Sequence, residues 1–307
     1  MEFDSLIGNE KNKIILKDAV KNKKVLHSYM FFGTEGVGKK LFALNFAKMI
    51  LCDSQNNAPC DKCKSCIEFN SNNNPDFFYI EPNGNSVKID QIRNMQKGIL
   101  EKPIISSKKV YIINNAETMT KEAQNCLLKT LEEPQEYVVI ILIVSNENSM
   151  LPTIKSRCTK IFFDKISDND LKTYIKEKIG DVHFEESMIK LSGGSIGKCI
   201  EISNKREVLK KIQEIIYDIE NMDKLQMINM NTYFNDNKED ISLILDYIYI
   251  LIFDKVSSVS NKIKYIGAME RVQEAKDKLL KSNNFDMTID NMLVEIWREI
   301  NEENYRG

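Results

Sequence analysis

An apolar run, Tyr29 to Phe32, leads through Gly33-Thr34-Glu35-Gly36-Val37-Gly38-Lys39-Lys40 into a helical pattern carried by Leu41, Leu44, Phe46, Ala47 and Ile50. A strand that turns through Gly-x4-Gly-Lys into a helix is the frame of a phosphate-binding loop. In a working loop the backbone N–H groups cradle nucleotide phosphates, the lysine reaches the β and γ phosphates, and the next Ser or Thr hydroxyl binds Mg²⁺. Here the next residue is Lys40, which has donors only and cannot ligate a cation. The frame commits the chain to a strand–loop–helix unit of a nucleoside triphosphatase type, but the chemistry lacks a part.

The second half of such a site is an apolar strand ending in acids, and Lys109-Val110-Tyr111-Ile112-Ile113-Asn114-Asn115-Ala116-Glu117 has that form. A hydrolysing site needs one carboxylate after the strand for the Mg²⁺ shell and a second to orient or deprotonate water. Asn114 and Asn115 stand there instead, and a neutral amide offers only a carbonyl dipole and takes no proton at neutral pH. Hydrolysis of ATP by this chain is therefore not expected. Binding of ATP or ADP without turnover stays open, because Gly33, Gly36, Gly38 and Lys39 survive and Lys40 adds positive charge. The preferred alternative is a glycine turn between strand and helix that holds no ligand.

Strand-like runs recur along the first half: Tyr29 to Phe32, Phe77 to Ile80, Lys109 to Ile113, Val138 to Val144 and Lys160 to Phe163. Helical stretches alternate with them, as in a parallel sheet with crossover helices. One of these, Thr120 to Leu131, sets Ala123, Leu127, Leu128 and Leu131 on one face and stops at Glu132-Glu133-Pro134. After Phe163 the pattern is wholly helical. Ser167-Asp168-Asn169-Asp170 reads as a capping box, and Gly193-Gly194-Ser195 separates two short helices ending near Ser203. From about Lys205 longer amphipathic helices follow, with Ile241, Ile244, Leu245, Ile248, Leu251 and Ile252 in one stripe and Leu293, Ile296, Trp297 and Ile300 in another. With 307 residues, two or three domains are expected. The boundaries read as an α/β domain over 1–163, a small three-helix unit over 164–204 and an all-α unit over 205–307.

A net charge of −2 argues against a globally basic nucleic-acid binder. The longest apolar run, Tyr137 to Val144, is far too short to span a bilayer, and Met1 to Ser5 has no basic start. A cytoplasmic protein with no membrane partner is expected, so disulfides are not. Yet Cys52, Cys60, Cys63 and Cys66 cluster with the spacing C-x7-C-x2-C-x2-C. Two-residue gaps let thiolates converge on one ion, and four close a tetrahedral Zn²⁺ site with no open position. Structural zinc is the preferred reading, with an iron–sulfur cluster or free thiols as rivals. Cys126, Cys158 and Cys199 read as small buried hydrophobes, His27 as packing, and His183 as part of a charged turn.

Several motifs now coincide in order. Asn125-Cys126-Leu127-Leu128-Lys129-Thr130-Leu131-Glu132-Glu133-Pro134, followed by Leu151-Pro152-Thr153-Ile154-Lys155-Ser156-Arg157-Cys158, closely resembles the AAA+ subunits of the bacterial DNA polymerase III clamp loader. The cysteine cluster after the loop helix, the opening Phe3 to Glu10, and His27-Ser28-Tyr29 fit as well. The resemblance covers roughly Phe3 to Ser203; beyond that it rests on helical character and length. It implies an α/β AAA+ P-loop domain with an inserted four-cysteine zinc module at 52–66, a helical lid and an all-α collar for oligomerisation.

Two subunit types share these motifs, the ATP-hydrolysing gamma/tau motor and delta prime. A motor is similar but would carry Thr or Ser at Lys40, Asp-Glu at Asn114 and Asn115, and a lid arginine where Gly197 stands beside Lys198. These departures resemble the delta prime type. The resemblance then implies that Arg157 projects into a neighbour's ATP site as an arginine finger, its planar guanidinium binding two phosphate oxygens. Judged alone, Arg157 reads as one half of a surface ion pair. Glu132 and Glu133, at a helix end before proline, read as capping the helix or positioning an interface. The implied partners are gamma/tau and delta subunits, with the sliding clamp and primed DNA reached through the complex. The alternatives are an active gamma/tau-type ATPase and a zinc-dependent DNA-binding module, for which Lys62 and Lys64 alone give thin support.

Overall fold

The computed structural model describes residues 6–54, 58–180, 184–258, 262–281 and 284–302. Phe3 to Ser5 and His183 lie outside them. The strands are β1 (Ser28–Phe32), β2 (Phe77–Ile80), β3 (Lys109–Ile113), β4 (Val138–Val144) and β5 (Thr159–Phe162). They form one sheet in the order β2-β3-β4-β1-β5, and every pair is parallel. The helices of this region are α1 (Glu10–Lys21), α2 (Lys39–Leu51), α3 (Lys64–Asn70), α4 (Ile89–Ile99), α5 (Lys121–Glu132) and α6 (Pro152–Lys155). The chain continues through α7 (Asp168–Tyr174), α8 (Glu186–Ser192), α9 (Ile196–Asn204), α10 (Arg206–Asp218), α11 (Lys224–Asn229) and α12 (Asn231–Asp236). It closes with α13 (Ile241–Ser258), α14 (Lys262–Leu280) and α15 (Phe285–Asn301).

β4 explains why the sheet is parallel and central. All seven of its residues are apolar and buried, which requires cover on both faces and therefore crossover helices. Alternation along the strands divides the apolar residues between two cores. Tyr29, Phe31, Val110, Ile112, Val139, Ile141 and Ile143 share one with Phe42, Phe46 and Ala47 of α2. Met30, Tyr111, Ile113, Ile140, Leu142 and Val144 share the other with Ile92 and Met95 of α4 and Ala123 and Leu127 of α5. Phe46 seals the first core, its ring edge-on to Tyr29 at 5.1 Å and tilted against Phe31 at 6.3 Å. α5 starts where expected because the Thr120 side chain accepts from the Ala123 N–H at 3.2 Å, a side-chain cap on the first turn.

Two compact units emerge: Met1–Leu171 with Gly194–Gly197, and Lys172–Gly193 with Lys198–Gly307. In the second, Met188 and Leu191 of α8 and Ile202 of α9 share one core with Leu209 and Ile212 of α10. Ile244, Leu245, Ile248, Leu251 and Ile252 of α13 and Leu293, Ile296 and Ile300 of α15 belong to the same core. Trp297 lies at its margin, its indole N–H donating to the Met222 carbonyl at 2.7 Å. Among the described residues no helix is long and apolar enough to cross a membrane. Phe46→Ala leaves a ring-sized void beneath β1, and we expect a loss of about 3–5 kcal/mol, read as a lower urea midpoint at unchanged slope for the first unit.

Candidate functional site

The phosphate-loop frame is held by its own backbone. Lys39 is 5% exposed, and its ammonium donates to the Gly33 carbonyl at 2.6 Å, the Thr34 carbonyl at 2.8 Å and the Ser145 hydroxyl at 3.0 Å. Burial pushes the Lys39 pKa down, against the raising pull of Glu117 and Glu35. Two glycines are needed for packing. A methyl on Gly33 would lie 2.5 Å from the Phe163 carbonyl oxygen. Gly36, at φ +77°, would place one 1.9 Å from the Ser195 hydroxyl, because the Gly194–Gly197 segment lies on the loop and the Gly197 N–H donates to the Gly36 carbonyl at 3.3 Å. Gly197, beside Lys198, is thus a backbone contact to the loop itself. Lys40 is exposed, paired with Glu81 at 3.3 Å, with its ammonium 4.8 Å from the centre of the Tyr79 ring.

The two asparagines form the exit from β3. The Asn114 N–H donates to the Ile80 carbonyl at 2.9 Å, and exposed Asn115 takes a left-handed turn at φ 47°, which asparagine tolerates better than most residues. The turn opens a short 3₁₀ segment, Ala116–Thr118. It swings Glu117 back beneath the end of β4, where one carboxylate oxygen accepts from the Ser145 N–H at 3.1 Å. The other oxygen is buried with no hydrogen-bond partner among the described residues. Glu117 and Ser145 therefore join Lys39 in one chain of contacts. In the sequence Glu117 only ends the run that follows β3 and Ser145 carries no signal, since nothing in the spacing of 39, 117 and 145 announces that the sheet brings them together.

The four cysteines do converge. The Sγ atoms of Cys52, Cys60, Cys63 and Cys66 all lie within 4.8 Å of one another, Cys52 and Cys66 buried and the other two half-buried. Each knuckle turns an amide onto the preceding sulfur: Cys60 N–H to Cys52 Sγ at 3.4 Å, Cys63 N–H to Cys60 Sγ at 3.3 Å, and Cys66 N–H to Cys63 Sγ at 3.4 Å. Such donors favour thiolates, and the amides of Lys62 and Cys63 hold the Cys60 thiol down to about 6. Burial pushes Cys52 and Cys66 up, since it disfavours the charged thiolate. Four Zn–S bonds of about 2.3 Å put sulfurs about 3.8 Å apart, within reach of this cluster. Buried Lys48 anchors the module through an ion pair with Asp61.

Arg157 stands just before β5. The Ser28 hydroxyl donates to its carbonyl at 2.7 Å, tying it to the start of β1. Its guanidinium is partly exposed, paired with Glu132 at 2.7 Å and donating to the Thr153 carbonyl at 2.9 Å. Glu132, at the last position of α5, thus holds Arg157, while exposed Glu133 forms the helix C-cap. Two smaller expectations need correcting. His27 is exposed and contributes only its carbonyl, which accepts from the Ile140 N–H at 2.9 Å, because the strand buries its side chains from Ser28 onward. Cys126 is half-buried, and its thiol donates to the Gln96 side-chain carbonyl at 3.2 Å, whereas Cys158 and Cys199 are buried as expected.

The parallel sheet, the glycine loop feeding α2 and the Gly194–Gly197 segment laid on that loop define an α/β domain built around a loop of phosphate-binding frame. Residues 8–167 match the family described as DNA polymerase III, delta subunit, and the chain belongs to that family. It is 30% identical over 202 residues to DNA polymerase III subunit delta' of Bacillus subtilis, covering 66% of this chain and 61% of that one. It is 34% identical, also over 202 residues, to DNA polymerase III subunit gamma/tau of Mycoplasma pneumoniae, covering 66% of this chain and 29% of that one. The chain thus spans 61% and 29% of the lengths of these two relatives. The solved structure of a gamma subunit-related protein from Thermotoga maritima aligns at a TM-score of 0.49 and 18% identity, over 92% of this chain and 99% of that one.

The loop glycines supply a test of packing against ligand chemistry. Gly36→Ala meets both a left-handed φ and Ser195, whereas Gly84→Ala, at φ +68° with nothing within 4 Å, meets only the first. We expect Gly36→Ala to lower the melting temperature of the ligand-free chain clearly more than Gly84→Ala; equal losses would mean that the loop does not depend on this contact.

Proposed function

We propose that this chain is a non-hydrolysing scaffold subunit of a DNA polymerase III clamp loader, of the delta prime type. In this reading it binds neighbouring gamma/tau and delta subunits and helps place the sliding clamp on primed DNA. It supplies Arg157 in trans to the ATP site of a neighbour. One observation carries the reading: the residues that would work on this chain's own nucleotide are missing or committed, while Arg157 is offered at the surface. Lys40 replaces the Mg²⁺ hydroxyl, Asn114 and Asn115 replace both carboxylates, and Lys39 is engaged by two loop carbonyls and Ser145. Arg157, by contrast, sits beside an edge strand with a carboxylate partner that a phosphoryl group could displace. The names of the relatives, delta' and gamma/tau, support the same class of complex.

Glu132 has a definite part in this reading. Its carboxylate, with the Thr153 carbonyl, orients the guanidinium at the end of α5, so that less rotamer entropy is lost when phosphate oxygens take over. Zn²⁺ is assigned to Cys52, Cys60, Cys63 and Cys66 as a structural ion. It would neutralise the thiolates and lock α3 to the end of α2, and takes no part in chemistry. Residues 164–204 and 205–307 are assigned as lid and collar, and the chain as cytoplasmic.

In a reconstituted clamp loader, Arg157→Ala should remove the contribution of the neighbouring site to DNA- and clamp-stimulated ATP turnover, a loss on the order of 10³ at that site. An unchanged rate would rule out the finger. Metal analysis of the purified chain should find one zinc, lost on Cys63→Ser together with protection of residues 58–70 from proteolysis. A folded chain purified without metal would remove the zinc assignment.

A further inference from the structure

A buried ammonium needs negative charge nearby, and in a working phosphate loop the nucleotide provides it. Lys39 is 5% exposed, yet its three hydrogen-bond acceptors among the described residues are neutral: two loop carbonyls and the Ser145 hydroxyl. Of the acids that act on it, Glu35 is exposed and screened by solvent. Glu117 is not. Its carboxylate is partly buried, grips the Ser145 N–H at 3.1 Å, and leaves its second oxygen buried with no hydrogen-bond partner among the described residues. Ser145 joins the two charges, its hydroxyl accepting from Lys39 and its N–H donating to Glu117.

We infer that Glu117 is a built-in counter-anion for Lys39, relayed through Ser145, that takes the electrostatic place of a phosphate and makes the loop's folded form independent of nucleotide. The inference deepens the non-hydrolysing reading of the site and rests on it. Two consequences follow from the charges. An incoming polyphosphate would meet a carboxylate at low local dielectric and would have to draw Lys39 off its three acceptors, so anion binding is opposed twice. Removing the Glu117 charge should reverse this, since the ammonium would then lack a counter-charge and gain from an external one. The left-handed turn at Asn115 is the local device that aims Glu117 inward.

The test uses the full chain and inorganic pyrophosphate as probe, at constant ionic strength in chloride. The melting temperature of the unaltered chain should not move with millimolar pyrophosphate. Glu117→Gln should melt lower and regain about 3 °C or more on adding pyrophosphate, as mass action requires of a ligand that binds only the folded form. Lys39→Met in the same chain should abolish that response and make Glu117→Gln nearly without cost, a coupling readable as a double-mutant cycle. The inference is overturned if pyrophosphate shifts both chains equally, or if the two substitutions add independently. If Glu117→Gln alone does not fold, the Lys39→Met/Glu117→Gln chain should fold; its failure also overturns the inference. No partner subunit enters the experiment, so its outcome is separate from the role of Arg157 in trans.

Discussion

The ammonium of Lys39, sunk beneath a turn of backbone, needs oxygen atoms around it, and much of the first unit is arranged so that they are there. The Gly33 and Thr34 carbonyls reach it because the chain leaves β1 in a tight turn. Gly33 must pass within contact of Phe163, and Gly36 must leave room for the Gly194–Gly197 segment. Ser145 reaches it because β4 is the immediate parallel neighbour of β1, in a register that sets Phe32 against Val144. A lysine with no such acceptors would cost several kcal/mol in that position or give up its proton. The loop glycines and the lysine are thus interdependent through packing and hydrogen bonding. This dependence gives the motif a structural role that needs no catalytic acid.

Much of the α/β region could be read from residue order alone. The runs at Phe77–Ile80, Lys109–Ile113 and Val138–Val144 are strands with those bounds, and the other two shift by one residue. Apolar periodicity and the stop at Glu132-Glu133-Pro134 locate α5, and the stripe on α13 is buried apart from the partly exposed Ile241. What could not be read was adjacency. Strand order decides that 39, 117 and 145 meet, and in a parallel sheet neighbours in space are separated in the chain by a whole crossover. The cysteine cluster was the easier case, because short spacing within one segment already limits how far its sulfurs can separate. His27 misled for a local reason: a residue beside a buried strand shares its backbone pairing but not its burial.

The Arg157–Glu132 pair shows how one geometry serves two readings. As a surface ion pair it contributes little stability, since both side chains are substantially exposed to solvent. As an oriented donor it holds a guanidinium in one place at modest entropic expense, with an exposed partner weak enough to be exchanged. The ion pair expected for an arginine judged alone is therefore compatible with a finger awaiting a phosphate.

β1 and β5 run side by side for four residues, with the phosphate loop leaving the carboxyl end of β1 and Arg157 entering at the amino end of β5. At about 3.3 Å per residue, the two lie more than 10 Å apart across rigid, hydrogen-bonded strands. The two ends are nonetheless linked through the exit of β4: Ser145, which holds Lys39, lies two residues from Glu147, and Glu147 pairs with Lys155 at 3.9 Å and Lys160 at 2.6 Å on either side of Arg157. The turn that follows β4 thus serves the loop at one end of the strand pair and the Arg157 segment at the other, bridging the length of a strand with one carboxylate.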